Sequence, residues 1–291
     1  MPKKESCALL KYKIVATDLD GTLLDHDCRV SAENFAAIHA LVEKGVHCAI
    51  ATGRTLNEIP KEILACEDLR YIIYSNGAMV LDKAEDRRIS ACIDRKNILR
   101  MMDIFADYKV HISVRYDGTC YTDATLPLVE NAEFYRIDPS HVRCVGKTGR
   151  AIRDFTATVR AMEEAEVFSV YFHSDEEQAE CRARLEKIEG IYIAGICPTN
   201  FEIFSCDAGK DVALLRLADL LGVSHDETMS LGDSGNDVAM TKAAGLGLAV
   251  SNAQKILKDV ADGIVCSNDE HVMKFVLEHY FSRKKQTNTY I

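Results

Sequence analysis

Two aspartates one residue apart close an apolar run and open onto a Gly-Thr turn, in the segment Ile14-Val15-Ala16-Thr17-Asp18-Leu19-Asp20-Gly21-Thr22-Leu23-Leu24. The apolar, β-branched run reads as a buried strand. Residues i and i+2 of a strand share a face, so the spacing puts the carboxylates of Asp18 and Asp20 on one side where the strand frays. Two like charges that close repel unless a cation lies between them. The segment is therefore a candidate Mg2+ site with one carboxylate left over for chemistry. A bare D-x-D more often marks a solvated acidic loop; the strand before this one and the turn after it favour the functional reading.

Three further polar segments follow apolar runs. Gly232-Asp233-Ser234-Gly235-Asn236-Asp237 comes after the short strand around Met229-Ser230-Leu231. It reads either as a turn with a helix N-cap or as an oxygen-rich loop completing a Mg2+ shell. A second acidic strand end in one sheet favours the metal. Thr52-Gly53 offers a hydroxyl and backbone N–H groups ahead of a helix, which suits a phosphate or an ordinary N-cap. Arg54 suits either a phosphate or a neighbouring carboxylate. Lys210 opens a helix after Asp207-Ala208-Gly209, and by its spacing alone it reads as a solvated charge.

The elements that must position these groups alternate. Ala32 to Lys44 carries Phe35, Ile38, Leu41 and Val42 at helical spacing, with Gly45 as its stop. Val46 to Ala51 and Tyr71 to Tyr74 read as buried strands, the second ending at Ser75-Asn76-Gly77, with a helix from Glu58 to Leu64 between them. Buried strands alternating with helices argue for right-handed crossovers and a parallel sheet, whose ligands lie beyond the carboxyl ends of the strands. After Leu81 the pattern changes. His111 to Tyr116 alternates, Asp117-Gly118 signals a tight hairpin, and Thr119 to Thr122 returns. Phe168 to Phe172 and Ile191 to Ile196 are further strands, with a charged helix from Glu176 to Ile188 between them. The parallel pattern resumes with a helix from Lys210 to Leu221, a strand from Thr228 to Leu231, a helix from Val238 to Ala244 and a strand from Leu246 to Val250. The expected architecture is α/β: a Rossmann-like, doubly wound parallel-sheet core from residues 1–83 and 199–291, with an inserted α+β cap over 84–198. The tail after Phe281 is polar and is expected to be mobile.

Composition bounds the partners. The chain has 291 residues, 47% hydrophobic and 27% charged, as in globular proteins. No apolar run approaches the ~20 residues that span a bilayer, and the charged N-terminus leaves no signal-peptide core, so the expected compartment is the cytoplasm. A formal charge of −10 disfavours nucleic acid or an anionic membrane as partner, but not a phosphorylated metabolite met through a bound cation. The eleven cysteines include no C-x-x-C pair and read as reduced, mostly buried residues.

Taken in order, Asp18-Leu19-Asp20-Gly21-Thr22, Thr52-Gly53-Arg54, Lys210 and Gly232-Asp233-Ser234-Gly235-Asn236-Asp237, with an insertion between the second and third, resemble the haloacid dehalogenase superfamily of phosphohydrolases. The insertion and the Ser75-Asn76-Gly77-Ala78 turn resemble its Cof-like subgroup with a large α/β cap. The resemblance covers essentially the whole chain. Two segments depart from the pattern: Asp207-Ala208-Gly209-Lys210-Asp211, and the turn around Asn268 to Val272 that follows the family's Asn252-Ala253.

The resemblance implies a Mg2+-dependent phosphatase acting on a small phosphorylated metabolite, such as a sugar phosphate or a phosphorylated cofactor or precursor, in a monomer or small homo-oligomer. It implies Asp18 as nucleophile and Asp20 as proton donor and acceptor. It implies Mg2+ held by Asp18, the backbone carbonyl of Asp20 and Asp233, with Asp237 in the outer shell and Ser234 nearby. Leu19 and Gly53 through their backbone, with Thr52, Arg54, Lys210 and Asn236, would hold phosphate or substrate. A phosphomutase shares these motifs, and a non-catalytic phospho-ligand sensor would have lost one of them. Substrate choice would lie in the cap, where His111, Arg115, Tyr116 and Tyr121 are candidates or simply packing.

Overall fold

A computed structural model describes residues 10–137, 139–197 and 200–282. The expected cap boundary at 198/199 and nearly all of the polar tail after Phe281 lie outside them. The chain divides into two compact units. One takes the described parts of Met1–Ala51, Cys66–Ile72 and Leu214–Ile291, the other those of Thr52–Ala65 and Ile73–Ala213.

The first unit is built on a parallel sheet. Ile14–Thr17, buried along its whole length, lies between Thr228–Gly232 and His47–Ala51 and pairs in parallel with both, Ile14 opposite Thr228 and His47. Thr228–Gly232 pairs in parallel with Leu246–Ala249, and that strand with Gly263–Ile264. Strands buried on both faces need near-continuous apolar runs, which Ile14–Thr17 and His47–Ala51 supply, whereas Thr228–Gly232 buries the small polar Thr228 and Ser230 between its apolar residues. Helix Ala32–Glu43 starts at Ser31, whose side chain accepts the Asn34 N–H, and buries Ile38 and Leu41. It ends at Gly45, where φ is +86°; the Gly45 N–H bonds the Val42 carbonyl and the Val46 N–H the Leu41 carbonyl, the paired bonds of a left-handed helix stop. Helix Val272–Val276 packs against this helix.

The second unit contains a six-stranded sheet in the order Ile191–Cys197, Asn200–Ser205, Val167–Phe172, Val110–Tyr116, Thr119–Asp123, Arg150–Ile152. Its pairs are antiparallel except the last. The Asp-Gly hairpin forms as expected, with φ of +46° at Asp117 and +68° at Gly118, the pair of left-handed residues a two-residue turn requires. Strand alternation gives the sheet two characters. Ile112, Val114, Phe168, Val170, Phe201 and Ile203 form a core with Ile98, Met101 and Phe105 of helix Arg95–Phe105 and Cys181 and Leu185 of helix Asp175–Leu185. The intervening positions are polar and still buried: His111, Ser113, Arg115, Ser169, Asn200 and Glu202. An antiparallel hairpin pairs Met79–Asp82 with Arg87–Ser90.

One expected helix is broken. Between Glu58 and Leu64 the chain forms a short 3-10 turn, Leu56–Glu58, and then helix Lys61–Ala65. Pro60 separates them: it has no N–H to continue a ladder and forces Ile59 into extended backbone, φ −73° and ψ 133°. Among cysteines whose side chains are described, all are free and only Cys28 and Cys206 are exposed. Among the described residues, no helix is long and apolar enough to cross a membrane.

Candidate active site

Asp18 follows directly on the central strand, its N–H still bonded to the Leu231 carbonyl of the neighbouring strand at 3.0 Å. Strand geometry stops at Thr17, and the two carboxylates part: Asp18 is 4% exposed, whereas Asp20 is exposed. Past Asp18 the chain closes a wide turn, Leu23 N–H to Asp18 carbonyl at 3.3 Å and Leu24 N–H to Leu19 carbonyl at 2.9 Å, anchored by buried Leu19, Thr22 and Leu23. Gly21 allows the turn. Its φ is +71°, and a β-carbon there would stand 2.7 Å from Asp233 Oδ2. The Gly21 carbonyl accepts from the Asn252 amide at 2.8 Å, Asn252 Oδ1 accepts the Asn268 N–H at 3.0 Å, and the Asn268 amide donates to the Leu24 carbonyl at 2.9 Å. The segment that departs from the family pattern thus braces the first motif through Asn268.

Asp233 emerges from the adjacent strand, and its carbonyl takes the Gln254 N–H at 2.7 Å. Asp237 is fully buried; its Oδ2 accepts the N–H groups of Asp233 at 3.0 Å and Ser234 at 3.2 Å. The Ser234 hydroxyl donates to Asn236 Oδ1 at 2.7 Å. Carboxylate oxygens of Asp18, Asp233 and Asp237 all lie within 4.8 Å of one another. At an effective dielectric near 20, unit charges that far apart repel by roughly 3–4 kcal/mol a pair. Three such carboxylates, with oxygen donors alone and neither histidine nor cysteine in the group, fit a hard divalent cation such as Mg2+. The Asp20 side chain is not part of the triad.

The remaining motif residues belong to the second unit. Thr52, 1% exposed, bonds the Ile73 carbonyl through its N–H at 2.9 Å and accepts the Arg54 N–H on its hydroxyl at 3.1 Å. The Arg54 guanidinium donates to the Glu58 carbonyl at 2.9 Å. The Ser75–Gly77 turn packs on this segment: the Ser75 N–H bonds the Arg54 carbonyl at 2.8 Å and the Asn76 N–H the Thr52 carbonyl at 3.0 Å. A β-carbon on Gly53 would meet Asn76 Oδ1 at 2.9 Å, and one on Gly77 the Gly209 carbonyl at 2.1 Å. Three motif-bearing loops therefore meet there: Thr52–Arg54, Ser75–Gly77 and Gly209–Lys210. Lys210 is 2% exposed, so the reading as a solvated charge fails.

The aromatic and charged candidates of the inserted sheet are held in packing. His111 is fully buried between Tyr135 and Tyr171, with Nε2 3.2 Å from the Leu126 carbonyl, and burial pushes its pKa down. Arg115 pairs with Glu202 at 2.9 Å, and the rings of Tyr116 and Tyr121 lie 6.5 Å apart beside the apolar core. Sequence reasoning missed Glu166 and Glu202, two buried carboxylates. Glu202 alternates with apolar residues in Asn-Phe-Glu-Ile-Phe-Ser, a signal that it faces away from the core, but nothing in the sequence ties it to Arg115.

Residues 15–277 match the family model of haloacid dehalogenase-like hydrolases. The 5-amino-6-(5-phospho-D-ribitylamino)uracil phosphatase YcsE of Bacillus subtilis (strain 168) is 30% identical over 268 residues, covering 92% of this chain and 95% of the relative. Phosphatase YwpJ of the same organism is 28% identical over 282 residues, covering 92% and 99%. A solved structure of a haloalkanoate (HAD) superfamily phosphatase from Bacteroides thetaiotaomicron superposes with a TM-score of 0.76 at 23% identity, covering 97% of this chain and 98% of that one, a likeness of fold.

Proposed function

The chain belongs to the haloacid dehalogenase-like hydrolases, and from that membership we propose that it hydrolyses a small phosphorylated metabolite through an aspartyl phosphate formed on Asp18. It is a phosphatase that uses Mg2+. The observation that carries the mechanism is the placing of Asp18: nearly buried, at the end of the central strand, within one carboxylate triad with Asp233 and Asp237.

Asp18, Asp233 and Asp237 would hold the cation, which when bound offsets the charge of the triad so that an anionic carboxylate can meet an anionic ester. An Asp18 oxygen attacks phosphorus and the ester oxygen leaves, so one P–O bond forms as another breaks. Asp20, exposed beside it, gives the leaving alcohol its proton and then takes one from the water that cleaves the acyl phosphate. The non-bridging oxygens are assigned to Thr52, Lys210, Asn236 and the backbone of Leu19 and Gly53, with Arg54 on the substrate side. These assignments rest on the family motifs.

The substrate class is a sugar phosphate or a phosphorylated cofactor or its precursor. The name of the 30%-identical relative, a phosphatase of a phosphoribitylamino-uracil, supports the second of these. The test is phosphate release from an aryl phosphate by purified protein with Mg2+, followed by a screen of sugar, nucleotide, flavin and pyridoxal phosphates. Asp18→Asn is expected to lower turnover by roughly a thousandfold or more. Release that survives this change sinks the proposal, and isomer interconversion without free phosphate would make the enzyme a mutase.

A further inference from the structure

Glu166 is 2% exposed, and both its carboxylate oxygens are engaged: Oε2 accepts the Ser75 hydroxyl, and Oε1 accepts the Gly118 N–H at 2.7 Å. A carboxylate taken out of water is costly, and burial pushes its pKa above the usual range. What it grips is an unusual turn. Ser75, Asn76 and Gly77 have φ of +51°, +52° and +90°, three successive left-handed residues of which only the last is glycine. Serine resists that conformation, and such turns persist where their surroundings over-determine them.

The turn is held from two sides. On one side its N–H groups bond the carbonyls of Arg54 and Thr52. On the other the fully buried Ser75 hydroxyl reaches Glu166, and the Asn76 amide reaches Glu202 at a longer 3.4 Å. Glu202 is itself bound by Arg115 at 2.9 Å and by the Ser169 hydroxyl at 3.0 Å. The hairpin tip is fixed in the same way: the Gly118 carbonyl accepts the Asn57 N–H at 3.0 Å, and the Asn57 amide donates to the Thr119 hydroxyl at 2.6 Å.

We propose that Glu166 is a positioning residue for phosphate binding. By fixing Ser75 in its left-handed conformation it sets the backbone of Thr52–Arg54, two hydrogen bonds away, in the shape that receives a phosphoryl group. This rests on the reading that Thr52–Arg54 contacts that group. It gives the inserted sheet a part in catalysis separate from substrate choice.

The experiment is calorimetric titration of inorganic phosphate, with Mg2+, into wild type, Glu166→Gln, Ser75→Ala and the double variant, with a melting temperature for each. Each single change is expected to weaken phosphate binding by about tenfold or more. The double variant is expected to be no weaker than the worse single one, since both changes break the same link. Unchanged phosphate affinity in the folded single variants, or additive losses, overturns the proposal whatever happens to the melting temperatures. If Glu166→Gln fails to fold, Ser75→Ala decides. A wild type that binds no phosphate overturns the functional reading itself, whereas binding that all variants retain removes only the role of Glu166.

Discussion

At Gly21 two demands coincide: a left-handed backbone, and no room for a β-carbon beside Asp233 Oδ2. Gly21→Ala should therefore cost stability, by roughly 1–3 kcal/mol, and also displace a member of the carboxylate triad. Urea unfolding would measure the first effect and Mg2+ titration the second; a variant unchanged in both contradicts the close approach. Asp18 and Asp233 were legible from the chain, because each ends an apolar run and acidic strand ends in one sheet converge, whereas Asp237 read equally as a helix N-cap and was expected only in the outer shell. The division between Asp18 and Asp20 was less so, since the i, i+2 argument holds only inside a strand and the strand stops at Thr17. Glu166, and the burial of Lys210, which spacing alone made a solvated charge and only the family resemblance singled out, were illegible for a plainer reason. Burial of a charge is decided by what other segments bring to it, and spacing along the chain carries no record of that.

Elements were read best where an apolar run met a clear stop. Tyr71–Tyr74 and Lys210–Leu221 fall where expected. The Met79–Asp82 and Arg87–Ser90 hairpin was not foreseen, because its turn holds no glycine and Asp86 takes the left-handed position at φ +45°. Helix Arg95–Phe105 did carry a signal, with Ile98, Met101, Met102 and Phe105 at helical spacing. At this scale Gly77→Ala should be among the most damaging small changes. It puts a methyl 2.1 Å from the Gly209 carbonyl, backbone against backbone, and should lower the urea midpoint well beyond the effect of Gly45→Ala, which meets nothing within 4 Å. The buried polar face of the inserted sheet predicts a pH effect. His111 is held neutral by burial, its folded pKa below the ordinary 6.5. As pH falls below that value the unfolded chain takes up a proton that the folded chain refuses, so stability is lost toward acid. His111→Gln should lose less stability than wild type between pH 7.5 and 5 in urea unfolding; parallel curves would contradict it.

For the molecule as a whole, a triad of mutually repelling carboxylates makes the cation a folding ligand as well as a catalytic one. Mg2+ should raise the melting temperature of the wild type, in proportion to about 2.7 kcal/mol at a hundredfold excess over its dissociation constant. Asp233→Asn should abolish most of that rise, and chelation should end phosphate release. An equal rise in the variant would place the metal elsewhere. The thiol distribution has a separate, practical consequence. Cys28 belongs to one compact unit and Cys206 to the other, and they are the exposed cysteines among those whose side chains are described. With Cys7, Cys144, Cys197 and the partly exposed Cys66, Cys92 and Cys266 replaced, the protein carries its own pair of attachment points for a spin-label or fluorophore ruler between units. Buried thiols such as Cys48 and Cys181, whose pKa values burial raises to about 12, would stay unlabelled.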